Sequence, residues 1–178
     1  MIMVAIDSNA ILVAPMKSKA DKEQRLAYLS MLKRLKQAGV DVRKHVLDNE
    51  CSDRMKELIK SECKLELAPP GCHRRNLAEW GIKLFKNHFL SIMSGVDEAF
   101  PTHLWDKLLP QAELTLNLLR QSNATPSVSA HAHLFGVFRL QQNASGTNGM
   151  QCTNPRRGKQ ERIMVTPHGG WMVPRHVT

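Results

Sequence analysis

Two carboxylates, Asp48 and Glu79, are the residues of this chain whose placement points to chemistry. Asp48 closes a strand-like run, Val42-Arg43-Lys44-His45-Val46-Leu47. Glu79 stands in the first turn of a strongly periodic helix, with 30 residues between the two acids. An acid at a strand end and an acid on a helix can meet at one point in space. Hard divalent cations need such a pair, because Mg2+ takes oxygen ligands and binds through one or two carboxylates together with phosphate oxygens. Taken singly, Asp48 reads as a turn residue and Glu79 as a helix N-terminal acid favoured by the helix dipole. Taken in this order and context, the pair reads as ligands.

Basic side chains surround the second acid. Lys83 and Lys86 lie four and seven residues past Glu79. At 3.6 residues per turn they share its helix face, while apolar residues occupy the other. That face suits phosphate contacts; the competing reading is a Glu-Lys pair that only supports the helix. His73, Arg74 and Arg75 precede the same helix. Arginines there suit bidentate clamping of phosphate, and Asn76 suits the helix N-cap.

The elements that must position these groups follow from spacing. Met1–Ile6 and Ala10–Ala14 are apolar around Asp7-Ser8-Asn9, which predicts a β-hairpin with Asp7 as a turn residue. Leu26, Leu29, Leu32 and Leu35 predict a helix over 21–38, stopped by Gly39. A strand at 42–47, a short helix at 51–61 and a strand at 64–67 follow, the last broken by Pro69-Pro70-Gly71. The long helix from Asn76 carries Ala78, Ile82, Phe85, Phe89 and Ile92 as its apolar stripe. A second helical stretch, 102–121, contains Pro110 and is expected to kink or split there. A weak helix is expected around 129–135. Residues 141–161 are rich in Gln, Asn, Gly, Ser and Arg and read as linker. Ile163–Val165 and Trp171–Val173 read as strands of something small and incomplete. This order of elements predicts an α/β or α+β layer with a mixed sheet.

The whole chain has 178 residues and a formal net charge of +9. Such a basic excess attracts polyanions, nucleic acid first among them. Its four cysteines form no C-x-x-C pair or zinc framework and read as reduced and intracellular. His131 and His133 have no nearby acid or cysteine in sequence to complete a zinc set. No apolar run reaches the ~18 residues a membrane span needs, so no membrane partner is expected.

The stretches DSNAILVAPMKSK, LDNE, APPGCHRRNLAE, FKNHF and FPTHLWDKLLPQAELTLNLLR, in that order, resemble the catalytic core of integrases from long-terminal-repeat retrotransposons. These belong to the RNase H-like polynucleotidyl transferases with an Asp, Asp, Glu triad. The resemblance covers about residues 1–140, with an echo at PHGGWMVP. It implies an RNase H-like mixed sheet flanked by helices, with a partial core over 1–122, a connecting segment over 123–140, and a linker with a poorly ordered C-terminal tail over 141–178. It implies Mg2+ or Mn2+, weakly bound by Asp48 and Glu79 as catalytic metal ligands, and DNA bound by Arg74, Arg75, Lys83 and Lys86. The ancestral reaction is metal-dependent DNA cutting and strand transfer, in the nucleus where the target is chromosomal. In the family the first catalytic Asp lies upstream of the hairpin that DSNAILVAPM resembles. The chain is therefore expected to lack the first strand and to be inactive alone. Trp80 stands where relatives carry Arg. Related cores dimerise through helices that follow the Glu helix, which implies a homodimer. The alternative is a non-catalytic module that binds DNA or oligomerises.

Overall fold

The computed structural model describes residues 1–47, 51–67, 77–140, 150–152 and 159–166. Its centre is a mixed sheet of five strands. The hairpin comes first. Strand β1 (Ile2–Ala5) runs antiparallel to β2 (Ala10–Val13), with Ile2 opposite Val13 and Ala5 opposite Ala10. The turn between them holds Asn9 at φ 61, a left-handed conformation that Asn tolerates better than most side chains.

Helix α1 (Asp21–Gln37) follows, ended by Gly39 at φ 75. Its buried face is not the leucine row that spacing suggested. Leu26 and Leu29 are exposed, and Ala27, Tyr28, Met31, Leu32 and Leu35 point inward. The reason is geometric. Strict i, i+3 spacing slips about 60° around the helix at each step, so four such residues cannot share one stripe. Strand β3 (Val40–Leu47), helix α2 (Asp53–Glu62) and strand β4 (Lys64–Leu67) come next. Ser52 caps α2 by accepting from the Met55 amide at 3.2 Å. Helix α3 spans Leu77–Ser94. The expected break near Pro110 takes the form of a 3-10 helix (Thr102–Leu108) leading into α4 (Leu109–Leu119), with Pro110 in its first turn, where a missing N–H costs little. Helix α5 (Ala130–Phe135) is capped by the Ser129 hydroxyl, and β5 (Phe138–Leu140) pairs with β6 (Met150–Cys152).

The last strand, β7 (Lys159–Thr166), departs most from the sequence reading. It lies in the middle of the main sheet, whose order is β2-β1-β7-β3-β4. It is antiparallel to β1 and parallel to β3, which is itself parallel to β4. Lys159–Glu161, read as the end of a linker, is strand. Ile163–Val165, read as part of something small and incomplete, joins the hairpin to the parallel pair. Inward burial of alternate residues explains this placement: Glu161, Ile163 and Val165 are all buried. Trp171–Val173 lies outside the described residues.

The two faces of the sheet bury different cores. On one, α1, α2 and α5 pack over Met3, Leu12, Val40, Leu47, Ile163 and Val165. On the other, α3 and α4 pack over Ile2, Val4 and Ile11. The free edge of β2 is closed by α4. Asn117 accepts from the Ile11 amide and donates to the Ile11 carbonyl, both at 2.8 Å, and Glu113 accepts from the Val13 amide at 2.8 Å. These bonds satisfy backbone groups that an open edge leaves unpaired.

Candidate nucleic-acid interface

Helix α3 presents the side chains of interest, and its inner face fixes where they stand. Ala78, Gly81, Phe85 and Phe89 are buried. Phe85 and Phe89 stack with ring centroids 6.0 Å apart, and Trp105 meets Phe89 edge-on at 6.3 Å. Gly81 lets the helix approach β1 closely. A Cβ at this position would lie 2.5 Å from a Val4 methyl, so any larger residue requires either Val4 or α3 to shift.

With that face anchored, the opposite face is exposed along Glu79, Trp80, Lys83, Lys86, Asn87 and Leu90. Glu79 and Lys83 are one helical step of four apart, which puts the acid and the amine on the same side. Among the described residues neither Lys83 nor Lys86 forms an ion pair. The sheet beside α3 is only half covered. Val46, Lys44 and Met164 are partly exposed there. Lys44 pairs with Glu66 on the neighbouring strand.

Glu79, Lys83 and Lys86 are thus on one surface. Asp48, Arg74 and Arg75 lie outside the described residues. The last described residue before Asp48 is Leu47, in register with Leu67 on one side and Val165 on the other. Strand β7 brings Val165 and Thr166 alongside this end of β3, and neither carries a carboxylate. The acid that β7 does carry, Glu161, is used at the other end of the sheet. It accepts from the amides of Asp7 at 3.1 Å and Ser8 at 2.8 Å. Burial pushes its carboxyl above the ordinary value, against the lowering effect of those bonds. Among the described residues no three His, Cys, Asp or Glu side chains are placed to hold a metal. Of the expected pair of carboxylates, only Glu79 is among the described residues.

Asp7 is the turn residue the sequence suggested, with an added role. Burial works to raise its pKa, but the bonds and charge of Arg162 outweigh this and hold the carboxyl below its ordinary value. The Arg162 guanidinium donates to Asp7 at 2.6 Å, which ties the start of β7 to the hairpin.

One contact had no signal in sequence. Arg120, just past α4, lies over the Trp80 ring at 4.6 Å from its centroid. Its Nε donates to the Asn9 carbonyl at 2.9 Å, and its Nη2 donates to Asn9 Oδ1. Burial pulls Arg120 down to about 10, so it remains charged at neutral pH. Residues 9, 80 and 120 meet only through the packing of α3 and α4 on the hairpin.

No protein-family model matches the chain, and neither a curated protein nor a solved structure matches it. No helix among the described residues is long and apolar enough to cross a membrane.

Proposed function

We propose that the chain is a nucleic-acid-binding module, built on a sheet of the integrase-core type and non-catalytic by itself. It contacts the phosphate backbone through Lys83 and Lys86 on the outer face of α3. The observation that carries this reading is the pairing of exposure with charge on that face. Both ammonium groups reach solvent without an acid partner among the described residues, on a chain of net charge +9. A lysine so placed exchanges condensed counterions for its own charge when it meets a phosphate, and the released ions drive binding. Arg74 and Arg75, just before α3 in the chain, are the further phosphate contacts this reading adds.

The resemblance to integrase cores supplies the ancestral chemistry, metal-dependent cutting and joining of DNA. Asp48 and Glu79 would be its Mg2+ ligands. The donor set weighs against that activity in this chain, because β7 contributes no acid beside the end of β3. The discriminating experiment is a DNA titration of the full chain with Mg2+ and with EDTA. Equal affinity in both supports the module. Affinity that depends on Mg2+, or nicking of a supercoiled plasmid, would restore the metal-dependent reading.

Self-association is a second element of the proposal. A groove of about 880 Å³ runs between α1, β2, α4 and α5, with Val13, Leu109, Leu114 and Phe135 among its walls. Its lining also includes Arg34, Asp106, Glu113 and Asn117, so self-association rests on the resemblance to integrase cores, and sedimentation across a concentration series tests it.

A further inference from the structure

Trp80 is 46% exposed, on the surface that carries the two lysines. A side chain this large is normally mostly buried, so an indole left in water asks for an explanation. It stands three residues before Lys83 and seven before Asn87, and these positions form one ridge along a helix. The Arg120 guanidinium covers part of the ring and is itself fixed by two bonds to Asn9. The indole is thus backed from one side by an immobilised cation while a large part of it remains open.

We propose that Trp80 is a stacking platform for an unpaired nucleobase. The preferred ligand of the α3 surface is then nucleic acid with a single-stranded stretch or a splayed end, rather than intact duplex. This rests on the reading of α3 as a nucleic-acid surface and deepens it. Inside a duplex both faces of every base are already covered by neighbours, so an aromatic ring can receive only a base that has left the stack. Lys83 and Lys86, both beyond Trp80 toward the C-terminal end of α3, would hold phosphates on one side of that base, and Arg120 adds positive charge beneath it. An exposed tryptophan also suits a protein partner. The two lysines beside it favour a polyanion over an apolar protein surface, which would have to desolvate both ammonium groups. The purely structural reading is that Trp80 and Arg120 only fasten α3 to the hairpin.

The test measures anisotropy of labelled oligothymidylate and of a blunt duplex of equal length, with the full chain at one fixed salt. Wild type is expected to bind the single strand more tightly. W80A should lose about tenfold for the single strand, within the range found for removal of one stacked base, and less than twofold for the duplex. W80F should keep most of the affinity. Lys83→Ala with Lys86→Ala should weaken both ligands. Should W80A prove poorly folded, W80F decides the matter: emission present in wild type and missing in W80F belongs to Trp80, and oligothymidylate should quench it. Unchanged single-strand affinity in folded W80A, or Trp80 emission blind to the oligonucleotide, would overturn the proposal and leave the indole to a protein contact or to the fold. Binding of duplex and single strand with equal affinity, both unaffected by W80A, would overturn this inference alone. Binding of neither would overturn the α3 reading with it.

Discussion

Helices α1 and α3 lie on opposite faces of one sheet and treat positive charge in opposite ways. Helix α1 has five basic residues, and three of them are held by acids: Arg25 by Asp21, Arg34 by Glu113, and Lys36 by Glu62. Helix α3 has only Lys83 and Lys86, and neither is paired among the described residues. Density of charge along the sequence would have put the polyanion surface on α1. The structure shows that the two helices differ in how many of their cations already have an acid partner. An ammonium already neutralised has less to offer a phosphate than one that faces water alone.

The contrast can be broken most forcefully from the core beneath α1. His45 on β3 is fully buried, with its Nδ1 3.3 Å from the Tyr28 hydroxyl of α1. Burial lowers its pKa to about 3. An unfolded chain takes up the proton near pH 6.5, while the folded one resists it. The contribution is therefore complete above pH 6.5 and is lost as the pH falls toward 3. The full loss is on the order of 5 kcal/mol. Chemical denaturation between pH 7 and 4 should show a falling midpoint, and His45→Gln should flatten that fall. A midpoint independent of pH in wild type would mean that His45 is not held neutral.

A smaller effect is expected at Glu113. It is buried, accepts from Arg34 and caps the edge of β2. Glu113→Ala should cost about 2–3 kcal/mol, because it strands the Val13 amide and removes the partner of a guanidinium still partly screened by water. Lys83→Ala and Lys86→Ala should each stay within about 0.5 kcal/mol of wild type by the same denaturation measurement. A loss at the α3 lysines as large as that at Glu113 would erase the distinction between a paired face and a free one.

Much of this arrangement is legible in the local sequence. The hairpin, the end of α1 at Gly39, the break near Pro110 and the apolar face of α3 all follow from local signals, because each is set by residues within one or two turns of each other. Strand β7 was not legible in its true place. Glu161 and Arg162 make its first half look like polar linker, and nothing local says that Glu161 is buried against the amides of Asp7 and Ser8. Which edge a strand joins is decided by partners more than 100 residues away in sequence, Ala5 with Ile163 among them. The same holds for the site. Exposure of Lys83 and Lys86 could be read from helical spacing. The seat of Trp80 under Arg120 could not, since it needs α3, α4 and the hairpin together. Asp48, Arg74 and Arg75 were singled out by sequence and lie outside the described residues.

The most direct measurement compares salt dependence of DNA binding in two double variants of the full chain. One replaces Lys83 and Lys86 with Ala; the other replaces the ion-paired Arg25 and Lys36 of α1. Each phosphate contact contributes roughly 0.9 to the slope of log affinity against log salt on duplex DNA. The α3 variant should therefore shallow the slope by about 2 at most, and the α1 variant should leave it unchanged. A slope that falls in the α1 variant and stays fixed in the α3 variant would contradict the account.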